Sequence, residues 1–295
     1  MLTSIASHSK NYTSIELEDK FEELEIAFDI SKAIYWCNFN PKSRPCFTPS
    51  QLTDLQKAFD SIRNLCSIPN NNPPIKWFVS GSKIPGIYNY GGDLELFINH
   101  ICDRNREGLQ TYAHQCVELV HNISIGLNLP ITTIALLEGD ALGGGFEAAL
   151  ANDFIIAEKQ VKIGLPESTF NLFPGMGAYS FLSRRIGHQK AKAMIFSGQT
   201  YSATELWEWG VIDIVVEEGI GKQATLNFIE DRQKYYNSYQ AMKRVSNVVQ
   251  TVSKAELMSI VEIWVDATLN LDLVNVRRMK KLLSCQLKKW EKLKG

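Results

Sequence analysis

Three consecutive glycines at positions 143–145 follow an apolar run and stand two residues before an acidic side chain, Glu147. Glycine lets the backbone turn sharply, and it leaves the N–H groups free of neighbouring side chains. A carboxylate placed just after such a turn lies near the first turn of a helix, close to those N–H groups. A carbonyl oxygen that gains negative charge during a reaction is stabilised by donors of this kind. The triplet therefore predicts a backbone anion-binding site beside a carboxyl group.

A second acidic motif, Gly-Leu-Pro-Glu at 164–167, ends in Glu167 and is followed by Pro-Gly-Met-Gly at 174–177. Two glutamates in different environments can serve as the acid and the base of one reaction. Glu147 and Glu167 are the only acidic pair that motifs support, so we predict that both are catalytic. Taken alone, Glu147 has a structural interpretation as a partner of the helix macrodipole, and Glu167 as an ordinary loop carboxylate. The sequence leaves open which of the two is the acid.

Charge and cysteine usage narrow the classes of function. The chain of 295 residues has a formal net charge of −1, so no global attraction to nucleic acid or membrane is expected. The basic residues at 277, 278, 280 and 281 are interpreted as a solvated helix face rather than a phosphate-binding patch. The sequence has no Cys-x-x-Cys pair and no histidine spacing that suits a metal. We therefore predict that the protein uses neither a metal nor a cofactor.

The sequence also predicts where the protein works. Residues 1–11 lack the apolar core of a secretion signal, and the sequence has no apolar run long enough to span a membrane. The six cysteines are then expected to be free thiols in a reducing cytoplasm.

Alternating strands and helices predict an α/β fold. Residues 24–39 are typical of a strand hairpin, residues 131–137 of a buried strand, and residues 82–92 of a loop. Ser50 is positioned to cap the helix that follows it. The stretch from about residue 220 to residue 290 is predicted to be helical throughout. Because the glycine motifs follow strands, they lie where α/β sheets bind their ligands.

Five motifs, in this order, resemble those of the crotonase (enoyl-CoA hydratase/isomerase) superfamily. They lie at 88–94, 142–147, 164–167, 173–177 and 196–198. The resemblance implies an α/β core built as a spiral of ββα units. It also implies three parts. These are an N-terminal extension with a hairpin and a helix at 1–74, the core with the active site at 75–219, and a helical region at 220–295 that covers the acyl pocket and forms the oligomer.

The resemblance also implies a set of site residues. Two backbone N–H groups bind the thioester oxygen of the substrate, one from Tyr90 or Gly91 and the other from Gly144. An apolar tunnel is needed for the acyl chain, although ordinary core packing is the alternative for any single residue along it. Five residues are expected to contact the acyl group: Leu142, Gly143 and Phe146 near its reactive end, and Trp264 and Leu282 along the tunnel.

The long N-terminal extension and the loop at 88–94 are similar to those of the synthases of diffusible signal factors, which are bacterial cis-2-unsaturated fatty acids. This similarity implies a 3-hydroxyacyl thioester substrate, carried by acyl carrier protein or CoA, that is dehydrated and then hydrolysed to the free acid. No Gly-x-Ser-x-Gly motif marks a separate nucleophile, so the two glutamates are expected to serve both steps. The similarity further implies binding to a regulatory receptor and assembly as a homo-oligomer, either a trimer or a hexamer.

The sequence is also compatible with two other functions. One is an enoyl-CoA hydratase/isomerase that has no thioesterase activity. The other is a non-catalytic binding protein built on the crotonase fold. Turnover of a CoA thioester would favour the first, and indifference to the substitution Glu147→Gln would favour the second.

Overall fold

The computed structural model describes residues 20–67 and 73–294, and within them it contains two β-sheets. The strands are β1 (Leu24–Asp29), β2 (Ile34–Phe39), β3 (Trp77–Ser82), β4 (Gly86–Asn89), β5 (Thr132–Leu137), β6 (Gly139–Leu142), β7 (Phe154–Glu158), β8 (Lys162–Gly164), β9 (Thr200–Ser202) and β10 (Ile214–Val216). The helices are α1 (Pro49–Cys66), α2 (Leu94–Cys102), α3 (Arg106–Ser124), α4 (Gly144–Leu150), α5 (Ala178–Ile186), α6 (His188–Ser197), α7 (Ala203–Glu208), α8 (Gly221–Gln233), α9 (Tyr236–Val249), α10 (Lys254–Leu269) and α11 (Leu273–Lys294). Two short 3-10 helices cover Gly126–Asn128 and Pro166–Phe170.

The larger sheet has the strand order β1-β2-β3-β5-β7-β10. Its strand pairs are parallel except for the hairpin of β1 and β2, as the sequence predicts for residues 24–39. Every residue of β5 is buried, because helices cover both faces of a parallel sheet at its centre. The smaller sheet has the order β4-β6-β8-β9, and its first three strands run parallel.

The two sheets are built in alternation. Each of β3, β5 and β7 leads into a short strand of the smaller sheet, namely β4, β6 and β8, and then into a helix. Three ββα units follow one another in this way. The prediction of a loop at 82–92 is wrong in part, because this segment contains β4. The sequence analysis also did not predict β6. Both strands have four residues and begin with glycine, so they show no alternation long enough to recognise.

The N-terminal strands and helix are continuous with this framework. β2 pairs with β3 in parallel, which places the hairpin inside the larger sheet. The helix α1 begins at Pro49, and the side chain of Thr48 caps it by accepting a hydrogen bond from the Gln51 amide. The prediction of Ser50 as the cap is therefore wrong. Proline favours the first position of a helix, which moves the start before Ser50.

The C-terminal stretch is helical but not continuous. It consists of α8, α9, α10 and α11, with breaks that include a capping serine, Ser253, in front of α10. The helix α10 packs against α3, and α11 packs against α2. Trp264 of α10 meets Phe97 of α2 edge to face, with ring centroids 4.9 Å apart.

The cysteines and the helices of the described residues add two observations. All six cysteines are free thiols, and three of them are buried. No described helix combines the length and the apolar character that a membrane crossing requires.

Candidate active site

The smaller sheet brings the glycine and glutamate motifs together. Its strands β4, β6 and β8 are parallel neighbours, so their carboxyl ends lie at one edge. Tyr90 follows β4, Gly143 follows β6, and Leu165 follows β8. The two glycine loops and the turn that carries Glu167 therefore meet, although they are far apart in the chain.

Gly143 occupies a position that only glycine fits well. Its φ of 53° and ψ of −131° belong to a region that side chains disfavour. A Cβ atom there would lie 2.6 Å from the Glu167 Oε1 atom. The Gly143 N–H donates to the Gly164 carbonyl oxygen at 2.9 Å, which fixes the loop to β8. The missing side chain leaves the space that the Glu167 carboxyl group occupies.

The two glycine loops touch through their backbones. A Cβ atom at Gly91, where φ is 88°, would lie 2.4 Å from the Gly144 amide nitrogen. A Cβ atom at Gly144 would lie 3.2 Å from the Gly92 amide nitrogen. Only glycine allows two backbones to approach this closely. The contact brings the amides of both loops into one region.

Hydrogen bonds decide which amides of the first loop are available. The Tyr90 N–H donates to the Pro45 carbonyl oxygen at 2.8 Å, and the Gly91 N–H donates to Asn89 Oδ1 at 2.7 Å. The Gly92 N–H makes no hydrogen bond within residues 20–67 and 73–294. The amides of Tyr90 and Gly91, from which we predicted the first donor, are therefore both engaged, and Gly92 is the available amide beside Gly144. An asparagine two residues before a glycine is the sequence signal, since its side chain often bonds the backbone two residues on.

A segment of the N-terminal extension, residues 44–51, holds this first loop, and we call it the clamp segment. Besides the bond from Tyr90 to the Pro45 carbonyl, the Phe47 amide donates to the Gly91 carbonyl oxygen at 2.7 Å. Within the core of the protein, Asn89 Nδ2 donates to Gln51 Oε1 at 3.1 Å, and both residues are fully buried. The loop conformation therefore depends on residues far away in sequence.

Glu147 lies on the first turns of α4 and is 1% exposed. Its Oε1 atom accepts hydrogen bonds from the Met176 amide at 2.7 Å and from the Ala178 amide at 2.9 Å. Burial raises the pKa of Glu147 to about 7, and the two amide hydrogen bonds oppose that rise. These bonds explain the Pro-Gly-Met-Gly motif at 174–177. It brings the Met176 amide, and the Ala178 amide that directly follows it, to the Glu147 carboxylate.

Glu167 lies in the short 3-10 helix after β8, where its neighbours leave one carboxyl oxygen without a partner. The Oε2 atom is enclosed and makes no hydrogen bond within the described part of the chain. Burial, and then the negative charge of Glu147, raises the pKa of Glu167 to about 8. Two amides stabilise the ionised form of Glu147, and no described donor reaches Glu167 Oε2, so this geometry favours the proton on Glu167.

Both carboxyl groups line one cavity, whose empty space, including the solvent at its mouth, is about 610 Å³. Glycine backbone forms part of its wall, and mostly apolar side chains from α2, α3, α10 and α11 form the rest. Burial raises the pKa of Cys116, which also lines it, to about 12, so this thiol is uncharged. The lining residues outside the two glutamates include Tyr90, Gly92, Gly143, Gly144, Leu94, Phe97, Tyr112, Cys116, Met176, Val261, Trp264, Leu282 and Gln286.

A comparison with known protein families agrees with this geometry. The family model described as enoyl-CoA hydratase/isomerase matches residues 30–282, which is most of the chain. The chain belongs to this family. Its fold is the crotonase fold, with the mixed sheets and the many helices described above.

Two curated relatives of the enoyl-CoA hydratase/isomerase family show how far the similarity extends. A probable mitochondrial enoyl-CoA hydratase 2 of Arabidopsis thaliana is 33% identical over 180 residues, which cover 61% of this chain and 55% of the relative. The mitochondrial methylglutaconyl-CoA hydratase of Mus musculus is 31% identical over 164 residues, which cover 56% of this chain and 48% of the relative. The chain thus spans about half the length of the curated relatives that it matches.

A solved structure shows the same fold at low sequence identity. An enoyl-CoA hydratase/isomerase from Xanthobacter autotrophicus Py2 is 18% identical and has a TM-score of 0.74. The match covers 92% of this chain and 96% of that chain.

Within this member of the enoyl-CoA hydratase/isomerase family, five of the predicted contact and donor residues line the cavity and three do not. Phe146 is fully buried in the core, because it is adjacent to Glu147 on a helix and so projects in a different direction. Leu142 packs instead with Ile84, Ile87 and the C-terminal Trp290. The five that line the cavity are Tyr90, Gly143, Gly144, Trp264 and Leu282, and the three that do not are Gly91, Leu142 and Phe146.

Sequence reasoning missed several parts of the wall. Gln286 lies four residues after Leu282, so it shares a helix face with a predicted residue. That spacing could have identified it. Across the described residues, no three His, Cys, Asp or Glu side chains come together as a possible metal site.

Proposed function

We propose that this protein is an acid–base enzyme that adds water to 2-enoyl thioesters or removes it from 3-hydroxyacyl thioesters. The observation that carries the proposal is that Glu147 and Glu167 line one cavity beside the available amides of Gly92 and Gly144. The family supports the same class of reaction, since hydratases and isomerases of CoA thioesters belong to it.

The two amides have a specific part in this chemistry. Bond changes at carbon 2 of a thioester place negative charge on the carbonyl oxygen. Donors from Gly92 and Gly144 would bind that oxygen, and loss of one such donor typically costs about 3–4 kcal/mol. The family uses backbone donors, so their action does not depend on side chains.

The hydrogen-bond environments of the two carboxyl groups differ, which supports a separate role for each. The Glu147 carboxylate is stabilised by two amide donors, whereas Glu167 Oε2 has none and holds its proton. In hydration, Glu147 takes a proton from water, the water oxygen bonds to carbon 3, and Glu167 gives its proton to carbon 2. In dehydration, Glu167 accepts the proton from carbon 2 and Glu147 gives its proton to the departing hydroxyl group. The pair carries one proton before and after each reaction.

A second, narrower candidate is the synthesis of a cis-2-unsaturated fatty acid by dehydration followed by thioester hydrolysis. Dehydration leaves Glu147 ionised and Glu167 protonated. Glu147 can then take a proton from a water that bonds to the thioester carbon, while the carbon–sulfur bond breaks and Glu167 protonates the thiolate. That second step returns both groups to the state that dehydration requires. The two steps thus form a closed cycle that needs no further nucleophile.

The apolar wall supports a medium or long acyl chain in this candidate. Leu94 and Phe97 of α2 and Val261 and Trp264 of α10 line the cavity together, and the rings of Phe97 and Trp264 meet edge to face. An apolar wall of this kind suits an alkyl chain better than a short polar acyl group.

One experiment tests both candidates. The full chain is incubated with 3-hydroxydodecanoyl thioesters of acyl carrier protein and of CoA, and the products are identified by mass spectrometry. We expect free cis-2-dodecenoic acid, and a fall in turnover of at least about 100-fold in Glu147→Gln and Glu167→Gln. The matched control is Glu158→Gln, a buried glutamate outside the cavity whose Oε1 accepts from the Gly219 and Gly221 amides.

Three other outcomes would change the conclusion. A product found only as the trans-2-enoyl thioester would support the hydratase function and contradict the synthase function. Unaltered turnover in Glu147→Gln would contradict acid–base catalysis by this residue. Binding of thioester without turnover in the wild type would favour the non-catalytic crotonase-fold protein.

The same proposal includes the organisation of the chain and its partners. Residues 220–295 would close the acyl pocket and form a homo-oligomer, a trimer or hexamer, and a regulatory receptor would bind the assembly in the cytoplasm. In support, α9 exposes apolar side chains at Met242, Val245, Val248 and Val249. Light scattering of the purified protein measures the assembly directly.

A further inference from the structure

The last helix, α11, has an unusual charge distribution. It carries eight basic residues and one acidic residue, whereas the whole chain has a formal net charge of −1. Most surface helices mix the two signs, because Glu and Lys four residues apart stabilise a helix. The distribution on α11 therefore differs from that of an ordinary solvated helix.

Six of the cations lie on one face of α11. At 3.6 residues per turn, they fall within an arc of about 120° that contains no acidic residue. We call this face the basic stripe. It consists of Arg277, Arg278, Lys281, Lys288, Lys289 and Lys292, all of them exposed.

The basic stripe is not neutralised within the protein. Lys289 pairs with Asp140 at 2.7 Å, and no other member forms an ion pair with a described residue. Arg277 and Lys281 are four residues apart, as are Lys288 and Lys292, and like charges at this spacing destabilise a helix. A run of uncompensated repulsions on an exposed face is typical of a surface that binds an anionic partner.

The position of the basic stripe connects it with the cavity. Leu282 and Gln286 of α11 line the cavity, and the stripe occupies the adjoining face of the helix. Lys289 Nζ lies 5.7 Å from the ring centroid of Tyr90, which is also part of the cavity wall. A partner bound along the stripe would therefore lie next to the place where the reaction occurs.

We propose that the basic stripe docks an acidic carrier protein that delivers the acyl thioester, an inference that rests on the proposed function. The basic stripe is about 22 Å long from Arg277 to Lys292, which exceeds what the phosphates of one small-molecule carrier can cover. This length matches that of an acidic helix lying along α11. Charge complementarity of this kind accelerates association and weakens with salt.

The test compares three 3-hydroxydodecanoyl thioesters, carried by acyl carrier protein, by CoA and by uncharged N-acetylcysteamine. The variant Lys281→Glu/Lys288→Glu reverses two exposed, unpaired members of the stripe. The control variant Lys234→Glu/Arg244→Glu makes the same change in charge at the residue that follows α8 and on α9, away from the cavity. We expect kcat/KM for the carrier-protein thioester to fall about tenfold or more in the stripe variant and not in the control variant. The remaining kcat/KM of the stripe variant should depend less on salt concentration than that of the wild type. Turnover of the N-acetylcysteamine thioester stays unchanged.

The outcomes separate this inference from the proposed function. A wild type that turns over none of the three thioesters contradicts the proposed function, and binding of carrier protein to wild type and variant by calorimetry still tests the docking surface. Equal kcat/KM for the carrier protein in both variants overturns the docking surface. A fall confined to the CoA thioester, or a change in oligomeric state of the stripe variant, overturns it as well, since the stripe would then bind nucleotide phosphates or a second copy of the chain.

Discussion

The two glycine loops of the candidate active site are held in place by different means. The second loop, at Gly143 and Gly144, is fixed by its own small sheet through the bond from the Gly143 amide to the Gly164 carbonyl. The first loop, at 90–92, is held by the clamp segment, which comes from the N-terminal extension. The second loop therefore depends on local backbone geometry, and the first on buried polar contacts between distant segments.

The strongest test of the second loop is Gly143→Ala. Alanine would have to adopt the disfavoured φ of Gly143, and its Cβ atom would collide with the Glu167 carboxyl group, 2.6 Å away. We expect kcat to fall about 100-fold to 1,000-fold. Gly210→Ala is the control, because Gly210 has a φ of 81° with nothing within 4 Å of its Cβ position. It should lose about 1–2 kcal/mol of stability and keep its kcat. Equal kcat in the two variants would contradict the role of this loop.

The first loop is tested by Asn89→Ala, which removes the acceptor of the Gly91 N–H and the partner of Gln51. We expect kcat to fall about tenfold to 100-fold with little change in KM, since the Gly92 amide loses its orientation. The free energy of unfolding should fall by about 1–3 kcal/mol.

Asn152→Ala is the matched control for this test. Asn152 is a buried asparagine whose side chain bonds the carbonyls of Ala148 and Ala149. It should lose similar stability and keep its kcat. If both variants lose kcat equally, the clamp segment acts on stability alone.

The pH dependence of stability reports on the carboxyl group where the loops meet. Burial raises the pKa of Glu167 from 4.5 to about 8, so the folded protein keeps a proton that the unfolded chain has lost. This contribution is fully present below pH 4.5 and is lost as the pH rises toward 8. Relative to the wild type, Glu167→Gln should gain stability with rising pH, by up to about 1.4 kcal/mol per unit. Urea unfolding at both ends of this range measures it, and a constant difference would refute the assignment.

The smallest expected effect concerns the start of the helix behind the clamp segment. Thr48→Ala removes the side chain that caps α1 and should cost about 1 kcal/mol. Ser50→Ala, two residues on, should cost almost nothing. Thermal unfolding distinguishes them, and kcat should stay constant in both. A larger cost at Ser50 would restore the sequence-based assignment of the cap.

The same difference between the loops explains how much the sequence could predict. Glu147, Glu167 and the second loop were found together, because glycine spacing and adjacent acidic residues are local signals. The amides predicted for the first donor, those of Tyr90 and Gly91, both make hydrogen bonds elsewhere, and the available amide is that of Gly92. Its position depends on the Pro45 carbonyl and the Asn89 side chain, and no local pattern shows the contact with Pro45. The strands β4 and β6 were missed because four residues show no period.

Two of the five residues that were predicted to contact the acyl group do not line the cavity, for a geometric reason. Phe146 and Leu142 flank the motif in sequence, but a neighbour on a helix or strand projects in another direction. Trp264 and Leu282 were chosen from an apolar helix face, and both line the cavity. The alternation of strands between two sheets, which generates the site, was predicted only from the resemblance of the motifs, since the short strands show no period of their own.

The clamp segment has one consequence for how such enzymes diversify. It contacts the first glycine loop, and none of its residues lines the cavity. Under the proposed function, substitutions within it would therefore change reaction rates while every side chain around the acyl group stays the same. Laboratory evolution confined to these few positions would separate tuning of catalytic power from choice of substrate.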